Sequence, residues 1–257
     1  TYGFPLDLTE LMARESGLGV DTIGFDKLMK QQRERARAAQ KKEVITISNL
    51  SADVSTEFVG FDTLACTAKV VEVLEKKDRT SVVLDQSPFF AAMGGQVGDT
   101  GTLQSNGRTW AITYTQQAGD AILHLVEGDG APEQDSEADV QVDTKRRATI
   151  QRHHSVTHLF HWALHEVTSP ESSQKGSYVG PDKLTFDFNS QTLSRQQITD
   201  IENLVNERIV ENAAISCTEI PHNDVRARGD ILQFFGDKYG DTVRVVQIGG
   251  DAGALNG

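Results

Sequence analysis

Five of the seven histidines in this 257-residue chain fall between positions 153 and 165. His154, His158, His161 and His165 repeat at steps of four, three and four, which an α-helix lines up along one face. Two imidazoles one turn apart can converge on one ion, so His154 and His158 have the spacing of a zinc half-site, although two ligands do not complete the tetrahedron zinc prefers. The alternative is a row of packed histidines with satisfied ring nitrogens, and spacing alone leaves both readings open. Ser155 follows His154 where a metalloprotease helix carries glutamate, so that pattern's general base is absent. Cys217 and His222, five residues apart, offer a thiolate and an imidazole. Yet Cys217 lies at the end of an alternating run, where a cysteine usually packs as a small hydrophobe. Ser155 and Ser173 pair with histidines on paper, but no orienting acid accompanies them.

A second dense signal is Met93-Gly94-Gly95-Gln96-Val97-Gly98-Asp99-Thr100-Gly101. It lacks both the lysine of a phosphate loop and the Gly-x-Gly-x-x-Gly spacing of a dinucleotide site. Glycines this close let backbone approach a neighbour, which suits either a barrel corner or a ligand-lining loop.

These groups need a frame to hold them. Residues 1–43 read as a helical arm, with Asp7 and Glu10 as a capping pair, Gly17 and Gly19 as the stop, and a second helix from about Phe25 to residue 42. Its apolar faces have little partner surface within the arm, as at the trailing edge of something larger. Residues 44–143 alternate in short runs, giving candidate strands at 67–73, 81–85, 109–114, 121–126 and 140–143 and predicting an antiparallel barrel or sandwich. Residues 144–257 mix helices at 145–167 and 195–213 with strands at 184–188, 215–220 and 242–248, an α+β layer, so the fold class is α+β.

Composition narrows the partners. Net charge is −12, from 25 Lys+Arg against 37 Asp+Glu, which argues against nonspecific coating of nucleic acid. Two basic stretches run the other way, residues 27–42 and Lys145-Arg146-Arg147 with Arg152, either as phosphate contacts or as solvated helix surface. No run approaches the roughly 18 apolar residues of a membrane span, and no charged-then-apolar leader opens the sequence, so a soluble intracellular protein is expected. Two cysteines cannot build a disulfide framework, and neither belongs to a Cys-x-x-Cys pair.

Five motifs together resemble the alanyl-tRNA synthetase family. They are Thr1-Tyr-Gly-Phe-Pro-Leu-Asp-Leu-Thr9, Pro88-Phe89-Phe90 with the glycine-rich run, His154-Ser-Val-Thr-His158-Leu-Phe-His161, Ser173-Gln-Lys-Gly-Ser177, and Phe235-Gly-Asp-Lys-Tyr-Gly-Asp-Thr-Val-Arg244. The resemblance covers essentially the whole chain. It implies three pieces: the tail of the tRNA-recognition region at 1–43, a β-barrel at 44–143, and at 144–257 an editing domain of the threonyl/alanyl-tRNA synthetase type. By the same resemblance the activity is cytoplasmic hydrolysis of Ser-tRNA(Ala) and Gly-tRNA(Ala), a correction that an alanine-sized pocket cannot supply alone.

The resemblance further implies zinc ligation by His154 and His158, catalytic positions at Thr157 and Gln174, and substrate contacts from Gly94, Gly95 and Gln96. Lys145, Arg146 and Arg147 become candidate contacts to tRNA(Ala). The family completes its zinc site with a Cys-x-x-x-His pair, and the sequence reaches Gly257 without one, so a partial site is expected, with a catalytically incomplete tRNA-binding or spacer module as the alternative function. The aminoacylation core and dimerisation region belong to other parts of the family's chains. Neither ATP use nor self-association is therefore expected of these residues, and a monomer is.

Overall fold

In the strand Glu137–Val142 every second side chain is buried: Ala138, Val140 and Val142 face inward while Glu137, Asp139 and Gln141 face water. That period of two repeats around a closed barrel. The computed structural model describes residues 6–31, 51, 54–76, 79–169, 171–226, 242–249 and 255–256. Its barrel comprises β2 (Ala65–Lys76), β3 (Arg79–Leu84), β5 (Gly101–Ser105), β6 (Arg108–Ala118), β7 (Ala121–Glu127) and β8 (Glu137–Val142). The order is β2-β3-β7-β6-β5-β8, antiparallel throughout, so the closed sheet has no free edge. Val70, Val82, Leu84, Phe89, Leu103, Trp110, Ile112 and Val126 join Val140 and Val142 in its core. The Trp110 indole N–H donates to the Gly130 carbonyl at 3.0 Å, so the ring is buried without an orphan donor. Outside the barrel, β1 (Glu57–Phe58) pairs in parallel with β4 (Gln86–Ser87).

Contrary to the expectation of short runs, two of the barrel strands are long. β2 and β6 run 12 and 11 residues, and each carries a register shift, between Val70 and Glu72 and between Ile112 and Tyr114. Bulges bend a long strand so that it serves two neighbours around a small barrel. β5, for which no strand was expected, begins at the last residue of the glycine-rich run.

Helix α3 (Thr144–Val167) starts two residues after β8. It packs against α4 (Arg195–Glu211) and the antiparallel hairpin of β9 (Gln174–Val179) and β10 (Leu184–Phe188). Leu159, Ala163, Leu164, Ile201 and Val205 form this second core, with Phe160, Phe186 and Phe188 against it. Ser194 and Gln197 make a full capping box, and Asn212 closes α4 in the left-handed conformation. A further sheet, β11 (Ile215–Pro221), β12 (Thr242–Ile248) and β13 (Leu255–Asn256), carries the short α5 (His222–Arg226).

The chain divides into two compact units, Thr1–Leu50 and Ser51–Gly257. In the first, α1 (Leu6–Glu15) ends where Gly17 adopts φ +70°, and residues 22–31 form α2. The Asp21 carboxylate accepts the Gly24 N–H at 2.8 Å, which starts α2 three residues ahead of the expected Phe25. The expected basic tail beyond residue 31 lies outside the described residues. Among the described residues no helix is long and apolar enough to cross a membrane.

Candidate active site

Helix α3 is welded to the barrel at its first turn. Asp143 caps it by accepting the Arg146 N–H at 3.0 Å, while its own N–H donates to Thr100 O at 2.8 Å. One turn on, the buried Arg147 donates through Nε at 2.7 Å and through Nη2 to Asp99 Oδ2, and through its other donors to Gly60 O and Pro88 O at 3.2 and 2.8 Å. The same carboxylate oxygen accepts the Phe90 N–H at 2.8 Å. Farther along, His153 Nδ1 donates to Gly180 O at 2.6 Å, tying the helix to the β9–β10 turn.

The glycine-rich run crosses this seam. Gly94 and Gly95 have φ of +59° and +87°, conformations that glycine adopts without steric cost. Val97 N–H donates to Val179 O at 3.0 Å and Val179 N–H to Gly95 O at 2.8 Å, so the loop rides on the end of β9. A Cβ on Gly95 would stand 2.5 Å from Ser177 O, and one on Gly98 would strike the Thr115 carbonyl. The run therefore makes a corner at which the barrel meets β9, held by close backbone packing.

At the seam His154 and Gln96 meet, with Nδ1 and Oε1 2.6 Å apart. An amide oxygen only accepts, so Nδ1 donates; when the ring is neutral its lone pair is then on Nε2, the arrangement metal-ligating histidines commonly receive from a neighbouring acceptor. The His154 and His158 rings stack, 22° from parallel with centroids 5.1 Å apart. Burial, reinforced by the charges of His154 and His161, lowers the His158 pKa to about 4, so its imidazole is neutral at pH 7, the form that ligates metal. Gln174, at the start of β9, donates from Nε2 to Ser177 Oγ at 2.9 Å and so reaches the segment against which Gly95 is pressed. Thr157 is buried and its hydroxyl donates to His153 O at 2.8 Å, leaving the oxygen to act as an acceptor.

The remaining sequence candidates separate. His165 donates from Nε2 to Ser172 O at 2.5 Å, and His161 packs against His165 and Phe186, the packed role that spacing had left open. Cys217 is exposed on β11 opposite Val246, which corrects the small-hydrophobe expectation. Of the basic trio, Lys145 is exposed, Arg146 spends Nη1 on Gly98 O at 2.8 Å, and Arg147 is only 4% exposed. The phosphate-contact expectation is therefore corrected for Arg147: a guanidinium enclosed by Asp99 and two carbonyls has no face for a phosphate. Asp99, the acid inside the glycine run, escaped the sequence reading altogether.

His154 and His158 fit two positions of a tetrahedral zinc site in residue type, spacing and, for His154, tautomer. Among the described residues no group of three or more His, Cys, Asp and Glu gathers to complete one.

Comparison with known proteins bears on the class. Residues 1–146 match the family described as tRNA synthetases class II (A). The chain belongs to the alanyl-tRNA synthetase family. It is 46% identical over 259 residues to the alanine--tRNA ligase of Akkermansia muciniphila, matching 100% of this chain and 28% of that protein. Corresponding values are 42% over 251 residues for Methylacidiphilum infernorum (97% and 26%) and 39% over 269 residues for Opitutus terrae (100% and 28%). The chain thus spans just over a quarter of these relatives' length.

Proposed function

We propose that residues 51–257 form the editing region of an alanyl-tRNA synthetase, which hydrolyses serine or glycine from wrongly charged tRNA(Ala). The observation that carries this reading is the convergence of three segments: His154 bonded to Gln96, His158 stacked on His154, and Gly95 pressed on the Ser177 that Gln174 holds. In the reaction a water oxygen bonds to the aminoacyl carbonyl carbon. The ester bond to the terminal ribose breaks, and the proton passes to the released ribose oxygen.

His154 and His158 would hold zinc, which when bound supplies Lewis acidity toward the ester or toward water. Gln96 fixes the His154 ring, and the Gly94–Gly95 backbone permits close approach of a small amino-acid side chain. Thr157 and Gln174 orient the ester or its attacking water through their oxygen and amide groups. Lys145, the exposed member of the basic trio, would meet tRNA phosphate, and exposed Lys27 and Lys30 of α2 would offer further contacts. The whole enzyme, by this reading, also ligates alanine with ATP through regions other than this one.

The test is to replace His154 and His158 by alanine in the whole synthetase. Zinc content and release of serine from Ser-tRNA(Ala) both fall, while alanine charging persists. Unchanged hydrolysis would return these histidines to a packing role. A second reading, a tRNA-binding module with an incomplete site, draws on the lack of a third ligand among the described residues.

A further inference from the structure

The buried ion pair of Arg147 and Asp99 lies at the other end of the contact that His154 makes with Gln96. Arg147, His154 and His158 are separated by seven and four residues, so they lie on one stripe of α3, with Arg147 and His154 about 10 Å apart along the axis. Three residues of the glycine-rich run are bonded to that helix: Gln96 to His154, the Gly98 carbonyl to Arg146, and Asp99 to Arg147. Asp99 is wholly buried, and its backbone is held too, its N–H by Phe90 O at 3.0 Å and its carbonyl by the Thr115 hydroxyl at 2.9 Å.

A planar guanidinium that meets one carboxylate and two carbonyls fixes direction as well as distance, which an ammonium cannot do. With Asp99 locked, only Val97 and Gly98 separate the clamp from Gln96. The clamp therefore sets where the Gln96 amide stands along the helix and hence how His154 is oriented.

We propose that Arg147 and Asp99 are a positioning pair for the hydrolytic site, holding the glycine-rich loop in register on α3 so that Gln96 meets His154. This rests on the editing reading above and adds two residues that touch no substrate. Misplacement by about an ångström can cost a reaction about a hundredfold. In the whole synthetase, Arg147→Lys and Asp99→Asn are each expected to lower kcat for serine release by about ten- to a hundredfold, leaving KM for the mischarged tRNA and the rate of alanine charging unchanged. Because breaking one side of a buried pair threatens folding, the double variant Asp99→Asn/Arg147→Met removes both charges. It folds, and its kcat is no lower than that of the worse single variant, since the two residues act as one device.

Hydrogen exchange supplies a readout independent of activity. Residues 93–98 exchange faster in all three variants, while β3 and β7 keep their protection. Folded variants with wild-type kcat, a loss confined to KM, or a rate that falls only with the unfolded fraction would each overturn the proposal. If the unaltered synthetase releases no serine, the editing reading fails, and exchange at 93–98 alone decides whether the pair positions the loop.

Discussion

His124 sits at the centre of the barrel with no exposure, its Nδ1 donating to Val82 O at 3.1 Å and its Nε2 accepting the Ser87 hydroxyl at 2.7 Å. Phe89 meets the ring edge-on and Thr115 lies opposite on β6, so the groups facing it from β3, β4 and β6 carry no charge. Burial lowers its pKa to about 4, against about 6.5 when unfolded. The unfolded chain therefore takes the proton first as pH falls. The stabilisation is complete above about pH 6.5 and lost progressively toward pH 4, by about 2 kcal/mol at pH 5. Urea midpoints of the wild type should drop accordingly between pH 7.5 and 5, and His124→Gln should flatten that part of the profile. Residue identity announced neither this histidine nor Arg147. Lys145-Arg146-Arg147 reads as three equal surface charges, and only the helix phase set by Asp143 turns the third into the barrel while the first stays in water.

The elements were more legible than the residues. Strand 184–188 and strand 242–248 stand where alternation puts them, and α3 begins one residue early because Asp143 caps it. β9 went unseen because Gln174-Lys-Gly-Ser-Tyr-Val has little apolar alternation; its pairing comes from β10 and from the glycine loop, contacts distant in sequence. The loop itself carries an element-scale prediction. Gly94→Ala meets no atom within 4 Å and demands only a left-handed alanine, a cost of about 1 kcal/mol. Gly95→Ala adds a collision with Ser177, so it should lift the loop from β9 and speed hydrogen exchange at residues 93–98, with Gly94→Ala leaving that exchange much nearer wild type. Equal exchange at 93–98 in the two variants would deny the loop its seat on β9.

At the scale of the whole molecule, a closed barrel feeds its last strand into the helix that bears the histidines, so barrel corner, helix and β9 share one seam. The α+β class and the barrel were readable because period-two burial is local. The seam was not, because it is made of glycine backbone and an ion pair 48 residues apart in sequence. Zinc is the point on which the proposed reading leans hardest: His154 and His158 would supply two ligands, and no Cys-x-x-x-His pair occurs within residues 1–257. The decisive measurement is serine release from Ser-tRNA(Ala), with and without added zinc, by residues 1–257 beside the same chain extended by about forty residues, enough for a loop and one motif. Zinc-dependent hydrolysis by the extended chain, with residues 1–257 much slower, is the expected result. Absence of serine release from both chains, folded and supplied with zinc, would contradict the editing function.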